Sequence, residues 1–194
     1  MEFQEYKKYR WFFTKSGKLV IGGKSAIQND ELIKKLKATK KDFIVMHTVS
    51  PGSPFSILLS NKEDLEKSDI SECAIFTGCF SRAWRSGAKK AEIHVFSLSS
   101  LSKTKSMAIG TWGVKNLLSK IIVPLELVLT KQSGVLRAVP SISIKNKKDI
   151  LLTLVPGKTD KTALLPKIQI ILEEHLNQEE LLSALPSGGI KISK

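Results

Sequence analysis

Two groups of residues in this chain have the types and spacing for chemistry. The first is Asp42, His47 and Ser53, a carboxylate, an imidazole and a hydroxyl within twelve positions. If the fold gathered them, they could orient a base, take a proton and attack an electrophile. The second is the corner Gly22-Gly23-Lys24-Ser25. It follows a strand pattern and precedes an apolar stripe at helical spacing, Ala26, Ile27, Leu32, Ile33 and Leu36. Ser25 stands as the N-cap and Gln28 three residues on gives the capping-box spacing. Amide groups at such a corner point outward with partial positive charge behind them. Lys24 adds a full charge, and the glycines leave room for an anion such as a phosphate. The alternative is a tight strand-to-helix turn that binds nothing, since a short glycine pair is a weak motif. No metal set is completed, because the chain has two cysteines, Cys73 and Cys79, and three histidines.

Charge narrows the partner. Lys plus Arg is 31 against 18 acids, a net +13 over 194 residues. Such a surplus points to a polyanion: ribosomal or transfer RNA, DNA or an anionic membrane. Arg10, Arg82, Arg85 and Arg137 are the arginines and the rest of the basic residues are lysines. Lysine meets phosphate as a point charge, whereas arginine favours bidentate base readout, so backbone or shape recognition is favoured over sequence reading. A histidine in a strand, as His47 is, is more often hydrogen-bonded structure or an RNA contact than a catalytic base. The N-terminus, MEFQEYKKYR, is too charged for a signal peptide, and no apolar run is long enough to span a membrane. Two cysteines six apart on a helix face different ways, which disfavours a disulfide and fits a reducing cytoplasm.

The positioning elements read as follows. RWFFT and KLVIGG form a hairpin around Lys15-Ser16-Gly17. The first helix ends in the basic cluster Lys34, Lys35, Lys37, Lys40 and Lys41, either a solvated face or a phosphate patch. DFIVMHTVSPGSPFSILLS gives two strands around a Pro-Gly-Ser turn. Asp69 is expected to cap a second helix, with Glu72 at the capping-box position, running through Trp84 to Gly87. Trp84 is expected in the core. Ala91 to Leu98 alternates as a strand. IIVPLELVLT reads as a bent strand with Pro124 at an edge or bulge. Lys103, Lys105, Lys115, Lys120, Lys131, Arg137, Lys145, Lys147 and Lys148 face a single acid, Glu126, in the most basic block. In the tail a strand is expected to end at Pro156-Gly157. A helix then starts near Thr159 or Asp160, with Pro166 kinking or restarting it, and a short helix follows over 178–185.

Several of these stretches resemble one family. Arg10-Trp11-Phe12, Gly22-Gly23-Lys24-Ser25-Ala26 and Gln28-Asn29-Asp30-Glu31 resemble the opening signature of the NFACT-R domain. Asp42, His47 and Pro51-Gly52-Ser53 are similar to its next strand and turn, although Pro54 stands where many members have a histidine. Glu72, Ala74, Ser81, Ala83 and Trp84 resemble its second helix. Ser102-Lys103 and Gly110-Thr111-Trp112 resemble a turn and a strand start, with a shorter loop between them. The tail is similar to the end of archaeal members. The resemblance implies an RNA-binding module of ribosome quality-control factors, here a stand-alone member or a C-terminal piece. Together with the charge it places RNA contacts at Arg10, Trp11, Gly22, Gly23, Lys24, Ser25, Gln28, Asn29, His47, Gly52, Ser53, Arg82, Arg85, Lys89, Lys90, Lys103 and Lys105.

The expected fold is α+β, a mixed, mostly antiparallel sheet with two main helices packed on it and a small C-terminal strand-helix element. Residues 1–148 are expected to form the RNA-binding domain and 149–194 an extension packed against it. The expected function is non-catalytic binding of structured RNA of the translation apparatus, ribosomal RNA or tRNA, with the large ribosomal subunit as partner, no cofactor, no metal and no membrane. An RNA-modifying enzyme, or an adaptor for one, is the alternative, with Asp42, His47 and Ser53 as its site.

Overall fold

The structure, a computed structural model, describes residues 4–172 and 177–193. Of the charged lead-in, residues 1–3 lie outside the described residues, and Tyr6–Lys8 form a 3₁₀ turn. The strands are β1 (Arg10–Phe13), β2 (Leu19–Gly22), β3 (Ile44–Thr48), β4 (Ser56–Leu58), β5 (Lys90–Ser97), β6 (Leu101–Ser102), β7 (Gly113–Val114), β8 (Ser119–Pro124), β9 (Leu127–Gln132), β10 (Val135–Val139), β11 (Leu152–Thr159) and β12 (Ile190–Ser193). The helices are α1 (Ala26–Ala38), α2 (Lys67–Cys79), α3 (Arg82–Arg85), α4 (Lys161–Leu172) and α5 (Gln178–Ala184).

The protein is α+β. A six-stranded sheet runs β1-β2-β4-β3-β5-β8, and its pairings are antiparallel. Period-2 alternation gives the sheet two apolar faces. Trp11, Ile21, Val45, Ile57 and Phe96 meet Leu32, Ile33 and Leu36 of α1 on one face. Phe12, Val20, Met46, Leu58, Ile93 and Val95 meet Cys73, Ala74 and Phe76 of α2 on the other. A second sheet, β10-β9-β11-β12, joins strands from both sides of residue 148. Its Leu127, Leu129, Leu136 and Leu154 continue the α2 core, as do Ile168 of α4 and Leu181 of α5. Trp84 is buried there, its indole N–H donating to Gly189 O at 3.1 Å. Cys73 and Cys79 are buried and unpaired, and burial pushes both thiols up.

Several boundaries differ from the sequence reading. The N-cap of α2 is Glu66 rather than Asp69, and Asp69 is the capping partner, accepting from the Glu66 amide at 2.9 Å. Glu72 therefore lies a turn inside the helix. Asp69 and Glu72 hold the first hairpin: Ser16 Oγ donates to Asp69 at 2.6 Å and the Lys15 amide to Glu72 at 2.8 Å. Nor does α2 reach Gly87. It stops at Cys79, Ser81 caps the separate turn α3, and the Arg82 amide donates to Gly52 O. The apolar run around Pro124 is two strands. Proline cannot donate to a ladder, so β8 ends there at the sheet edge and the chain crosses to β9 in the other sheet. β11 continues through Pro156-Gly157 as a bulge against Ile190. Gly157 is required because a Cβ would lie 2.5 Å from the Lys191 amide nitrogen. α4 also runs through Pro166.

Candidate nucleic-acid interface

The start of α1 forms as its sequence implies. Ser25 is extended and its Oγ accepts from the Gln28 amide at 3.2 Å. Gln28 reaches back one residue further than a standard capping box, its Oε1 accepting from the Lys24 amide at 2.9 Å. The glycines have a different reason from the expected one. A Cβ on Gly23 would lie 2.3 Å from Asn29 Oδ1, and one on Gly22 would lie 3.0 Å from Pro54 Cβ. The room expected for an anion is thus filled by Asn29, whose carbonyl accepts from the Phe55 amide at 3.3 Å. Gly110 closes over the helix start from the other side, where a Cβ would sit 2.6 Å from Ala26 Cβ. Lys24 and Ser25 remain exposed at the edge.

They edge a cleft of about 610 Å³. It opens where β1 begins, β2 and β3 end, and β4 begins. Ten of the seventeen expected contact residues line it: Arg10, Gly23, Lys24, Ser25, Asn29, His47, Gly52, Ser53, Arg82 and Arg85. Arg10 and Ser187, from opposite ends of the chain, share its wall. Among the described residues no carboxylate lines the cleft. Arg10 lies over the Phe80 ring at 4.7 Å. Burial, and then the Arg137 charge, lower its pKa to about 10, which leaves it protonated at neutral pH. Burial and the charges of Arg10 and Arg137 lower Lys24 as well. Like charges held together without a facing acid favour an anion between them.

One wall is a loop held by Asp30. This carboxylate accepts from Lys103 Nζ at 2.5 Å, Trp112 Nε1 at 2.8 Å and the Gly110 amide at 3.0 Å. Burial pushes the Asp30 pKa up, but the bonds from Lys103, Trp112 and Gly110 outweigh it and hold the pKa below the ordinary value. Ile109, Gly110, Thr111 and Trp112 are thereby fixed as cleft wall.

The other expected contacts lie elsewhere. Trp11 is 1% exposed, packed edge-on between Tyr6 and Phe13 with Arg137 over its ring at 4.6 Å. It shapes the core and presents no face to a partner. Gly22 is buried. Gln28 serves the cap. Lys103 is committed to Asp30 and to the Ala108 carbonyl. Lys89, Lys90 and Lys105 lie outside the cleft.

His47 and Ser53 both line the cleft, but Asp42 is not brought to them. Asp42 precedes β3 and His47 stands near the far end of that strand, roughly 16 Å away at strand rise. Asp42 pairs with Lys62 at 2.6 Å and accepts from the Ser99 amide. Ser53 Oγ accepts from the Thr48 amide at 3.0 Å and donates to Pro54 O. His47 Nδ1 donates to Thr48 O at 2.7 Å, and burial lowers the His47 pKa against the opposing effect of its bonds at Thr48 and Ser53. His94, Phe80 and Trp112 are cleft residues that sequence reasoning misses, as is Asp30 in its role as holder of the wall. Strand pairing alone would reveal His94, because it stands directly opposite His47 on β5. No group of three or more His, Cys, Asp or Glu among the described residues could hold a metal ion. No helix among them is long and apolar enough to cross a membrane.

The fold and cleft define an α+β protein with a cationic, acid-free groove at one end of its main sheet. The family profile of the NFACT protein RNA binding domain matches residues 8–116, more than half of the chain. The chain belongs to this family. It is 27% identical over 199 residues to the archaeal Rqc2 homolog aRqcH of Methanocaldococcus jannaschii, covering 97% of this chain and 29% of that protein. The chain thus spans less than a third of that relative's length. A solved structure, the C-terminal part of the fibronectin/fibrinogen-binding protein from Streptococcus suis, has a similar fold. Its TM-score is 0.53 at 18% identity, over 63% of this chain and 47% of that one.

Proposed function

We propose that this chain is a non-catalytic binding domain for structured RNA of the translation apparatus, ribosomal RNA or tRNA, acting in ribosome-associated quality control. Its platform is the large ribosomal subunit and its compartment the cytoplasm. The observation that carries this reading is the cleft: Arg10, Lys24, Arg82 and Arg85 converge with no carboxylate among the lining residues. Phosphate oxygens supply the missing negative charge. Membership of an RNA-binding domain family and the relation to an archaeal Rqc2 homolog support the same reading. We take 1–148 as the RNA-binding unit and 149–194 as a packed extension.

The test compares two equal charge changes. Lys24→Glu at the cleft edge is expected to weaken binding to ribosomal RNA or tRNA about tenfold, since a cation that meets phosphate becomes an anion that repels it. Lys191→Glu, exposed on β12 outside the cleft, is expected to change it by less than about threefold. Fluorescence anisotropy at fixed salt reads both. Thermal melting checks the fold, since an exposed lysine should alter stability by under about 0.5 kcal/mol. Equal weakening by the two variants would reduce the cleft to part of a diffuse basic surface.

A further inference from the structure

The cleft has depth as well as charge, and its floor is made of rings. We propose that it seats one unpaired nucleotide of the bound RNA, base inward and phosphate at the rim. This rests on the RNA-binding reading and goes further by naming the element recognised. His47 and His94 are cross-strand partners on the α1 face of the main sheet, at the end that α1 does not cover. The His47 ring lies against Phe55, tilted by 35° with ring centres 4.6 Å apart, and Phe55 meets Phe96 edge-on, so the floor is backed by buried aromatic surface. Trp112 stands in the wall, its ring orientation set by the bond to Asp30.

One polar atom at the floor lacks a hydrogen-bond partner. His94 Nε2 is buried, makes no hydrogen bond among the described residues, and lies 4.0 Å from the Glu92 carboxylate. A buried polar atom without a partner is costly unless something from outside completes it. The volume, about 610 Å³, falls inside the ~300–1,000 Å³ range of small-ligand sites. A duplex cannot use such a site, because its bases are paired and stacked and their faces are not free to enter. An unstacked base from a bulge, loop or end can enter and lie against ring faces. Arg82, whose side chain lies across Gly52 closely enough to exclude any Cβ there, is placed at the mouth to take the phosphate.

The test uses a perfectly paired RNA hairpin and the same hairpin carrying one bulged nucleotide. The wild-type protein is expected to bind the bulged form about tenfold or more tightly. His94→Ala, which removes one ring of the floor, and Val49→Trp, which fills the cleft from an exposed position, should each abolish that preference and leave binding to the paired hairpin within about twofold. Neither removes a lysine or an arginine, so the cationic rim is kept. Two variants guard against one failing to fold, which melting would show. Equal binding of the two hairpins by the wild type would overturn the inference while leaving the RNA-binding reading intact. A preference that persists in both folded variants would overturn it too, by placing the nucleotide elsewhere. Failure to bind either hairpin at low salt would end both readings.

Discussion

Asp30→Ala should destabilise the protein by about 3 kcal/mol in urea unfolding and release the wall of the cleft. The carboxylate is nearly buried, its side chain 9% exposed and that of Lys103 17%. Removing it strands an ammonium, an indole N–H and a backbone amide at once. Breaking one partner of a buried pair costs about 3–5 kcal/mol, and Lys103 can partly regain water, so the lower end applies. For a chain of this length that corresponds to a fall in melting temperature of roughly 6–12 °C. Asp30→Asn keeps one acceptor and should lose about half as much. The pH dependence has a definite sign. A carboxyl held below its ordinary value of 3.8 stabilises the fold above that value and loses the contribution as pH falls through the folded pKa. Wild-type stability should therefore drop below about pH 4, and the drop should be shallower in Asp30→Ala. An unchanged acid limb would mean that the bonds to Asp30 are not formed in solution.

The Arg82→Glu, Arg85→Glu double variant should weaken RNA binding about 100-fold and reduce the salt slope by about 2, one for each arginine–phosphate pair removed. Both side chains are exposed, so the fold should be kept. Their backbone is fixed independently: the Arg82 amide bonds Gly52 O, Trp84 is buried between them, and Gly188 packs on Arg85 Cα. Lys147→Glu with Lys148→Glu makes the same charge change on a 3₁₀ turn outside the cleft. It should cost no more than several-fold, through long-range attraction alone. Similar losses in the two pairs would mean that only net charge matters.

Local signals in the sequence are legible where local physics decides. The first hairpin, the Ser25 cap and the apolar stripe of α1 need only neighbours a few residues away. The cap of α2 reads three residues late for a nonlocal reason. Asp69 and Glu72 look like a cap and its partner, but their acids serve the Lys15–Ser16 turn, more than fifty positions upstream. The break at Ser81 is hidden because an apolar helical pattern continues through it. What stops the helix is the Gly52 carbonyl bonding to Arg82. Pro124 signals an edge correctly, but a change of sheet leaves no mark in hydrophobic alternation. At the cleft, the residue types are readable and their roles are not. Trp11 and Arg10 are adjacent, yet strand alternation buries one and places the other at the groove. Gly23 reads as space for an anion and is space for Asn29. Asp30 lies inside the opening signature, but its function depends on a loop about eighty positions away.

The most direct test of the central claim is the affinity for ribosomal RNA or tRNA across a series of salt concentrations. Four cations converge on the cleft, Arg10, Lys24, Arg82 and Arg85. Phosphate binding at these groups predicts a log–log slope of about −3 to −4. A flat dependence, or no binding to either RNA at low salt, would contradict it.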